Sequence, residues 1–197
     1  MRVILLVGWL LAAIGAAAWH YGPGQDYLKR DDAARAREEA NHQATASNWG
    51  EAIAKYDEAL KSLPIERIAD ARAIRLQRAK AQMMARKLPD AHADLRGIVD
   101  EMKDDPKADE KVLADARSTL ANAQYYITWL MRLEGQPRDA WEPEIEAARQ
   151  TYRLLAERSE AQGDAVNAKR HKEDLESAIR LERMDLGELQ GLPLPSQ

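Results

Sequence analysis

The 197-residue chain contains no cysteine and no phenylalanine, and its aromatic content is only 6%. Without cysteine it forms no disulfide, offers no thiolate nucleophile and builds no cysteine-based metal centre. The redox compartment stays open, because exported proteins tolerate the same absence. Without phenylalanine the large rings are tyrosines and tryptophans, each bringing a polar handle wherever it is buried. A net charge of −4, with acids and bases interleaved, gives no electrostatic footprint for nucleic acid, so that partner is set aside. Strand formers are thin outside one N-terminal apolar run. What remains is 45% hydrophobic and 31% charged, rich in Ala, Arg, Glu and Leu, which predicts an all-α protein of one modest domain with a short extra segment.

The apolar run is Val3 to Trp19, behind Arg2. It has no polar face, which argues against a buried core helix, and it sits at the lower edge of the length that spans a bilayer. As a cleaved signal it offers a basic second residue, an apolar core and the small end Ala16-Ala17-Ala18, with cleavage before Trp19. As a retained anchor it exceeds the usual signal core, and it places Trp19 and Tyr21 at the level of an interfacial aromatic belt. The anchor is the favoured reading, with membrane contact through residues 3–19. Gly8, Ala12 and Ala16 read as the small residues of a leader before they read as a helix-dimer face. Arg2 favours the N-terminus inside, whereas Lys29, Arg30, Arg35 and Arg37 argue for the domain inside. The short start before the apolar run reads as export, and the domain is placed on the exported side.

Beyond the leader, the stretch Trp49 to Pro64 has the order W-x-x-A-I-x-x-Y-x-x-A-L-x-x-x-P. Ala52 and Ala59 share a helical face with Trp49, Ile53, Tyr56, Leu60 and Leu63, so large groups of an approaching helix can enter the hollows left by small ones. This order resembles the second helix and closing proline of a tetratricopeptide (TPR) repeat, with Trp49, Ala52, Tyr56, Ala59 and Pro64 on the signature positions. The resemblance implies stacked antiparallel helical hairpins forming a solenoid that binds protein on a concave surface. The first-helix half falls in Leu28 to Ser47, where Ala33, Ala34, Ala36, Ala40, Ala44 and Ala46 stand in place of the usual large residues. A weaker TPR-like unit follows, to about Met102.

Punctuation predicts about seven helices. Gly22-Pro23-Gly24 separates a leader (1–21) and linker (22–27) from a helical domain (28–186), and a flexible tail (187–197) carries Pro193 and Pro195. Asn48 and Glu51 predict a capping box for the second helix. The third helix runs from Ile65 to about Lys87, and Leu88-Pro89-Asp90 turns it into the fourth. Asp105-Pro106 opens the fifth, with the seam Leu113, Ala116, Leu120, Ala123, Ile127 and Leu130. The sixth follows Gly135-Gln136-Pro137 with Ile145, Ala148, Tyr152 and Leu155, and Gly163-Asp164 starts the seventh.

No catalytic constellation converges, and the chain is read as no enzyme, with no cofactor and no metal. His20, His42, His92 and His171 fall in different segments without metal-ligand spacing. Asp104, Asp105, Asp109 and Glu110 lack the alternating ligands and central glycine of a calcium loop and read as a solvated helix cap. The densest aromatic set is Tyr125, Tyr126, Trp129, Trp141 and Tyr152 with Met131. Tyr125, Trp129 and Arg132 share a face and are candidates for a protein-binding groove; packing against the sixth helix through Trp141 and Tyr152 is the stronger alternative. Arg72, Arg75 and Arg78 recur every three residues. They are candidates for a partner's carboxylates, against the plainer reading of pairing within the chain.

The expectation is therefore a membrane-tethered, TPR-like, non-catalytic scaffold that binds one or more proteins and helps organise an envelope complex. A structural accessory subunit of a larger membrane assembly is the alternative, and a cleaved, exported soluble protein ranks behind both.

Overall fold

The structure, a computed structural model, describes residues 23–190, with side chains from Tyr27 to Leu189, and single positions of the leader: Trp9, Leu10, Ile14, Gly15, Ala17 and Trp19. These residues form no strand. Their helices are α1 (Pro23–Thr45), α2 (Trp49–Ser62), α3 (Ile68–Met84), α4 (Leu88–Met102), α5 (Glu110–Leu133), α6 (Arg138–Ala161), α7 (Ala165–Arg183) and α8 (Leu186–Gln190). The protein is all-helical, as its composition predicts. Among the described residues no helix is long and apolar enough to cross a membrane. The span expected at residues 3–19 lies largely outside the described residues, as does the tail from residue 191 onward. Two compact units divide the chain, Met1–Ile74 and Arg75–Gln197.

In the first unit α1 and α2 pack against each other. α1 opens on Pro23, inside the stretch read as linker, because a first-turn proline gives up only an N–H that has no helical partner. The interface buries Ala33, Ala36 and Ala40 of α1 and Ala52, Ile53, Tyr56 and Ala59 of α2. Alanine on both sides leaves room for Tyr56, whose hydroxyl donates to Asn41 Oδ1 at 2.7 Å. Lys55 Nζ reaches Glu39 at 2.8 Å. That hydrogen bond holds the Glu39 carboxyl below its ordinary range and raises the Lys55 ammonium. Trp49 and Pro64 are half-buried at the ends of the signature. Pro64 begins a turn, closed by the Arg67 N–H donating to the Pro64 carbonyl, so α3 starts at Ile68 and not at Ile65.

The capping box expected at Asn48 is not made. Asn48 stands at the N-cap of α2, yet its side chain donates to Gln43 Oε1 at 2.9 Å. The cause is the closure of the preceding helix. Ser47 is left-handed (φ 59°), its N–H donates to the Ala44 carbonyl, and the Asn48 N–H donates to the Gln43 carbonyl. This is the paired 5→2 and 6→1 pattern that satisfies the last carbonyls of a helix. Arg86 (φ 61°), Gly135 (φ 71°) and Gly163 (φ 72°) repeat it after α3, α5 and α6, with Lys87, Gln136 and Asp164 donating the longer bond. Leu88-Pro89-Asp90 consequently lies inside the first turn of α4, and Arg86 makes the turn.

The second unit has two core clusters that meet on α5. Leu76 and Ala79 of α3 pack with Leu88, Leu95, Ile98 and Met102 of α4 and with Leu113, Ala116 and Ala123 of α5. A second cluster joins Ala121 and Trp129 of α5 to Trp141, Ile145, Ala148 and Tyr152 of α6, Ala178 and Leu181 of α7, and Leu189 of α8. A helix with two buried faces is what successive layers of helices require. Asp109 caps α5 by accepting from the N–H groups of Lys111 and Val112, and Asp164 caps α7 by accepting from Asn167. The stretch read as tail begins instead with α8. Asp185 and Glu188 form a reciprocal capping box, at 2.7 and 3.0 Å, and Leu189 is fully buried.

Candidate functional site

Within the second unit the odd-numbered helices line a groove of about 650 Å³. Lys80 and Met83 come from α3, Asp115, Tyr125 and Tyr126 from α5, and Asp174 from α7; Tyr152 of α6 reaches the same space. A hollow of about 840 Å³ shares Asp115, Ser118 and Arg170 with it and extends to the two caps, Asp109 and Asp164, and to His171.

Neighbouring residues on a helix point about 100° apart, so the adjacent Tyr125 and Tyr126 serve different layers. Tyr126 packs on the first core cluster and Tyr125 on the second. Their rings meet edge to face, with centroids 5.6 Å apart and planes at 83°. Tyr152 is almost fully buried, and its hydroxyl donates to Asn122 Oδ1 at 2.7 Å. Burial raises the Tyr152 phenol far above its ordinary pKa, and it stays a neutral donor.

The charges of the groove fall into two kinds. Lys80 and Asp115 neutralise each other at 2.7 Å. Asp174, by contrast, has no hydrogen bond of ordinary length to any described residue: His171 Nδ1 lies 3.7 Å away, longer than a hydrogen bond, and Arg170 acts on it through charge alone. Its side chain is 35% exposed. Burial raises the Asp174 carboxyl above the ordinary carboxylate range, against the opposing pull of His171 and Arg170. His171 is itself buried, which lowers its imidazole pKa, and its Nδ1 has no hydrogen-bond partner in the structure. Asp174 therefore faces a neutral ring.

Of the face read as Tyr125, Trp129 and Arg132, only Tyr125 lines the groove. Trp129 is 6% exposed and belongs to the second core. Arg132 lies over the Trp141 ring at 4.8 Å and donates to the carbonyls of Leu181 and Met184. It thus satisfies carbonyls that the end of α7 leaves unpaired. Arg75 binds both carboxylate oxygens of Glu101, at 2.7 and 2.9 Å, and Arg78 pairs with Asp94, so α3 and α4 are tied by the arginines that suggested a docking stripe. Arg72 is half-buried. The repeat-signature residues all lie in the first unit and serve packing.

Asp174 escaped the reading of the sequence. Its signal is positional: it follows Ala168 and His171 along the stripe that α7 buries, where a carboxylate is out of place. Among the described residues no group of three or more His, Asp or Glu side chains is placed to hold a metal ion. No protein-family model and no curated protein matches the chain.

Proposed function

We propose that the chain is a membrane-tethered, non-catalytic scaffold of TPR-like helical hairpins that binds another protein and helps organise an envelope complex. The observation that carries this reading is the groove, because its walls come from α3, α5 and α7, the helices that a stack of hairpins turns to one side. The repeated left-handed closure after α1, α3, α5 and α6 supports closely connected antiparallel helices, since each ends in a tight turn that starts its successor at once. Three tyrosines and two methionines in the groove suit protein recognition, where aromatic rings and adaptable thioethers anchor contacts.

The tether is supported by what the described leader residues do. Trp9, Leu10, Ile14 and Trp19 are all exposed. Trp19 stacks on Tyr27 at 5.8 Å, and the Arg30 guanidinium lies 5.5 Å from the Tyr27 ring centre. Aromatic rings followed by a cation are the residues that settle at a membrane–water interface. A leader in the bilayer confines the groove to the membrane surface and raises its effective concentration toward partners there.

A photo-crosslinking residue placed at Ser118 or Ser177 of the groove, in native membranes, is expected to trap a partner. The same residue at Val166, on the exposed side of α7, is expected to trap none. Equal trapping at Val166 overturns the reading. The accessory-subunit alternative is favoured by one observation: Ile65 and Ile68, at the α2–α3 turn, are 89% and 55% exposed, as residues of a permanent apolar interface would be in a free subunit.

A further inference from the structure

Resting on the groove as a protein-binding site, we infer that it selects a basic side chain, a lysine or arginine of the partner segment, which seats against Asp174 beside the rings of Tyr125 and Tyr126. Three observations carry the assignment. Asp174 is a partly desolvated carboxylate with no hydrogen bond of ordinary length to a described residue, while the other carboxylate of the groove, Asp115, already has Lys80 at 2.7 Å. A carboxylate removed from water regains most from a cation that brings hydrogen-bond donors with it. Tyr125 and Tyr126 are half-buried and line the same space, so a cation seated at Asp174 has aromatic rings beside it and beside its methylene stem.

The third observation is the backing of the site. His171, 3.7 Å from Asp174, is nearly closed to solvent and held toward its neutral form by burial, so it leaves the carboxylate without a full counter-charge. Arg170, one turn away on α7, lines the groove and makes no ion pair within 4 Å of a described carboxylate. It supplies charge at a distance and takes up none of the Asp174 oxygens. An acidic partner side chain is disfavoured at this position by Asp174 itself, and an apolar one would strand the carboxylate.

A display library of random peptides, selected on the full-length chain in detergent or nanodiscs, tests the assignment. The enriched peptides are expected to share a lysine or arginine at one position. A blocked synthetic peptide of that consensus should bind about tenfold more weakly to Asp174→Asn, which has nearly the same shape and keeps the fold. Changing the peptide's basic residue to norleucine should cost a similar factor, and the two changes together should cost no more than one of them. Additive losses, or an acidic or neutral consensus, overturn the inference. The groove reading fails separately: neutral peptides that lose binding on Ser118→Trp leave the groove a protein site with another preference, whereas peptides indifferent to both Ser118→Trp and Asp174→Asn overturn both.

Discussion

The α1–α2 hairpin and the layered helices α3 to α8 solve the same packing problem with different side chains. The hairpin buries alanine against alanine, with Ala36, Ala40, Ala52 and Ala59 in its interface, and Tyr56 is the one large ring buried there. Its polar ties, Lys55 to Glu39 and Tyr56 to Asn41, run along its edge. The second unit buries Leu95, Ile98, Trp129, Trp141, Ile145 and Leu181, and its polar ties lie between layers, as where Glu144 meets His92 at 3.1 Å. Small residues let two backbones approach and leave nothing over. Large side chains from three layers cannot all meet, and the space they leave is the groove. The segment whose order resembles a repeat signature is therefore packing, and the groove lies among helices outside it.

Removing a core ring should separate the two most sharply. Trp129→Ala is expected to cost about 3–5 kcal/mol, the usual range for deleting a buried tryptophan, measured by denaturant unfolding. Tyr125→Ala, at the groove edge, should cost visibly less. Equal costs would mean that Tyr125 is as much core as Trp129, and the groove would lose its wall. Adding volume probes the hairpin instead: Ala40→Leu inserts bulk where backbones are closest and should destabilise by about 1–3 kcal/mol. Hydrogen exchange should then rise in α1 and α2 and stay unchanged in α5 to α7, and a uniform rise would show that the division at Ile74 is not energetic.

Much of this architecture is legible in the sequence, for reasons that differ by residue. The stripe Ile145, Ala148, Tyr152 and Leu155 is buried as its spacing predicts, because apolar periodicity reports burial. Of the seam, Leu113, Ala116 and Ala123 are buried, Leu120 and Ile127 half-buried, and Leu130 is 42% exposed, since α5 turns its faces to two different clusters. Helix ends are harder. Ser47 and Arg86 adopt left-handed turns without being glycine, so neither carries the usual stop signal, and Leu88-Pro89-Asp90 looks like a turn while starting a helix. At the site, tyrosines could be gathered from the sequence, but their sorting could not. Tyr125 and Tyr126 are half-buried on different core clusters while Trp129 is buried in the second, and that sorting depends on α3 and α7, far away in the chain. Asp174 needs the fold as well, since its missing partner is a property of the groove.

The polar node at Glu144 sharpens the comparison through pH. Glu144 accepts from His92 and from Gln124, each at 3.1 Å, and lies 3.4 Å from Arg96, tying α4, α5 and α6. The His92 hydrogen bond is the main cause that lowers its pKa, with burial opposing. A depressed folded-state pKa means that the unfolded chain binds protons first as pH falls. The stabilisation is therefore whole above the ordinary carboxylate pKa and is lost as pH drops through the depressed value. Glu144→Ala should cost about 1–3 kcal/mol near neutrality, because two donors lose their acceptor, and the gap from the unaltered protein should close in acid. Asp174 has the opposite sign. Its raised pKa makes the folded state hold the proton longer, so stability falls as pH rises through that window, and Asp174→Asn should leave neutral stability unchanged or slightly higher.

The smallest effects test what the two units have in common. Ser47 and Arg86 hold the same left-handed turn, one in each unit, and a side chain there pays a steric cost that glycine does not. Ser47→Gly and Arg86→Gly should each stabilise by up to about 1 kcal/mol, net of glycine's extra freedom in the unfolded chain. Gly135→Ala and Gly163→Ala, at the turns where glycine already stands, should destabilise by about 1 kcal/mol, although a Cβ at either meets no other atom within 4 Å. Opposite signs at four sites with one hydrogen-bond pattern would mark the turn as a single repeated device. Loss of stability on Ser47→Gly alone would assign the Ser47 side chain a part in closing the alanine hairpin, and the two units would then differ in their turns as well as in their cores.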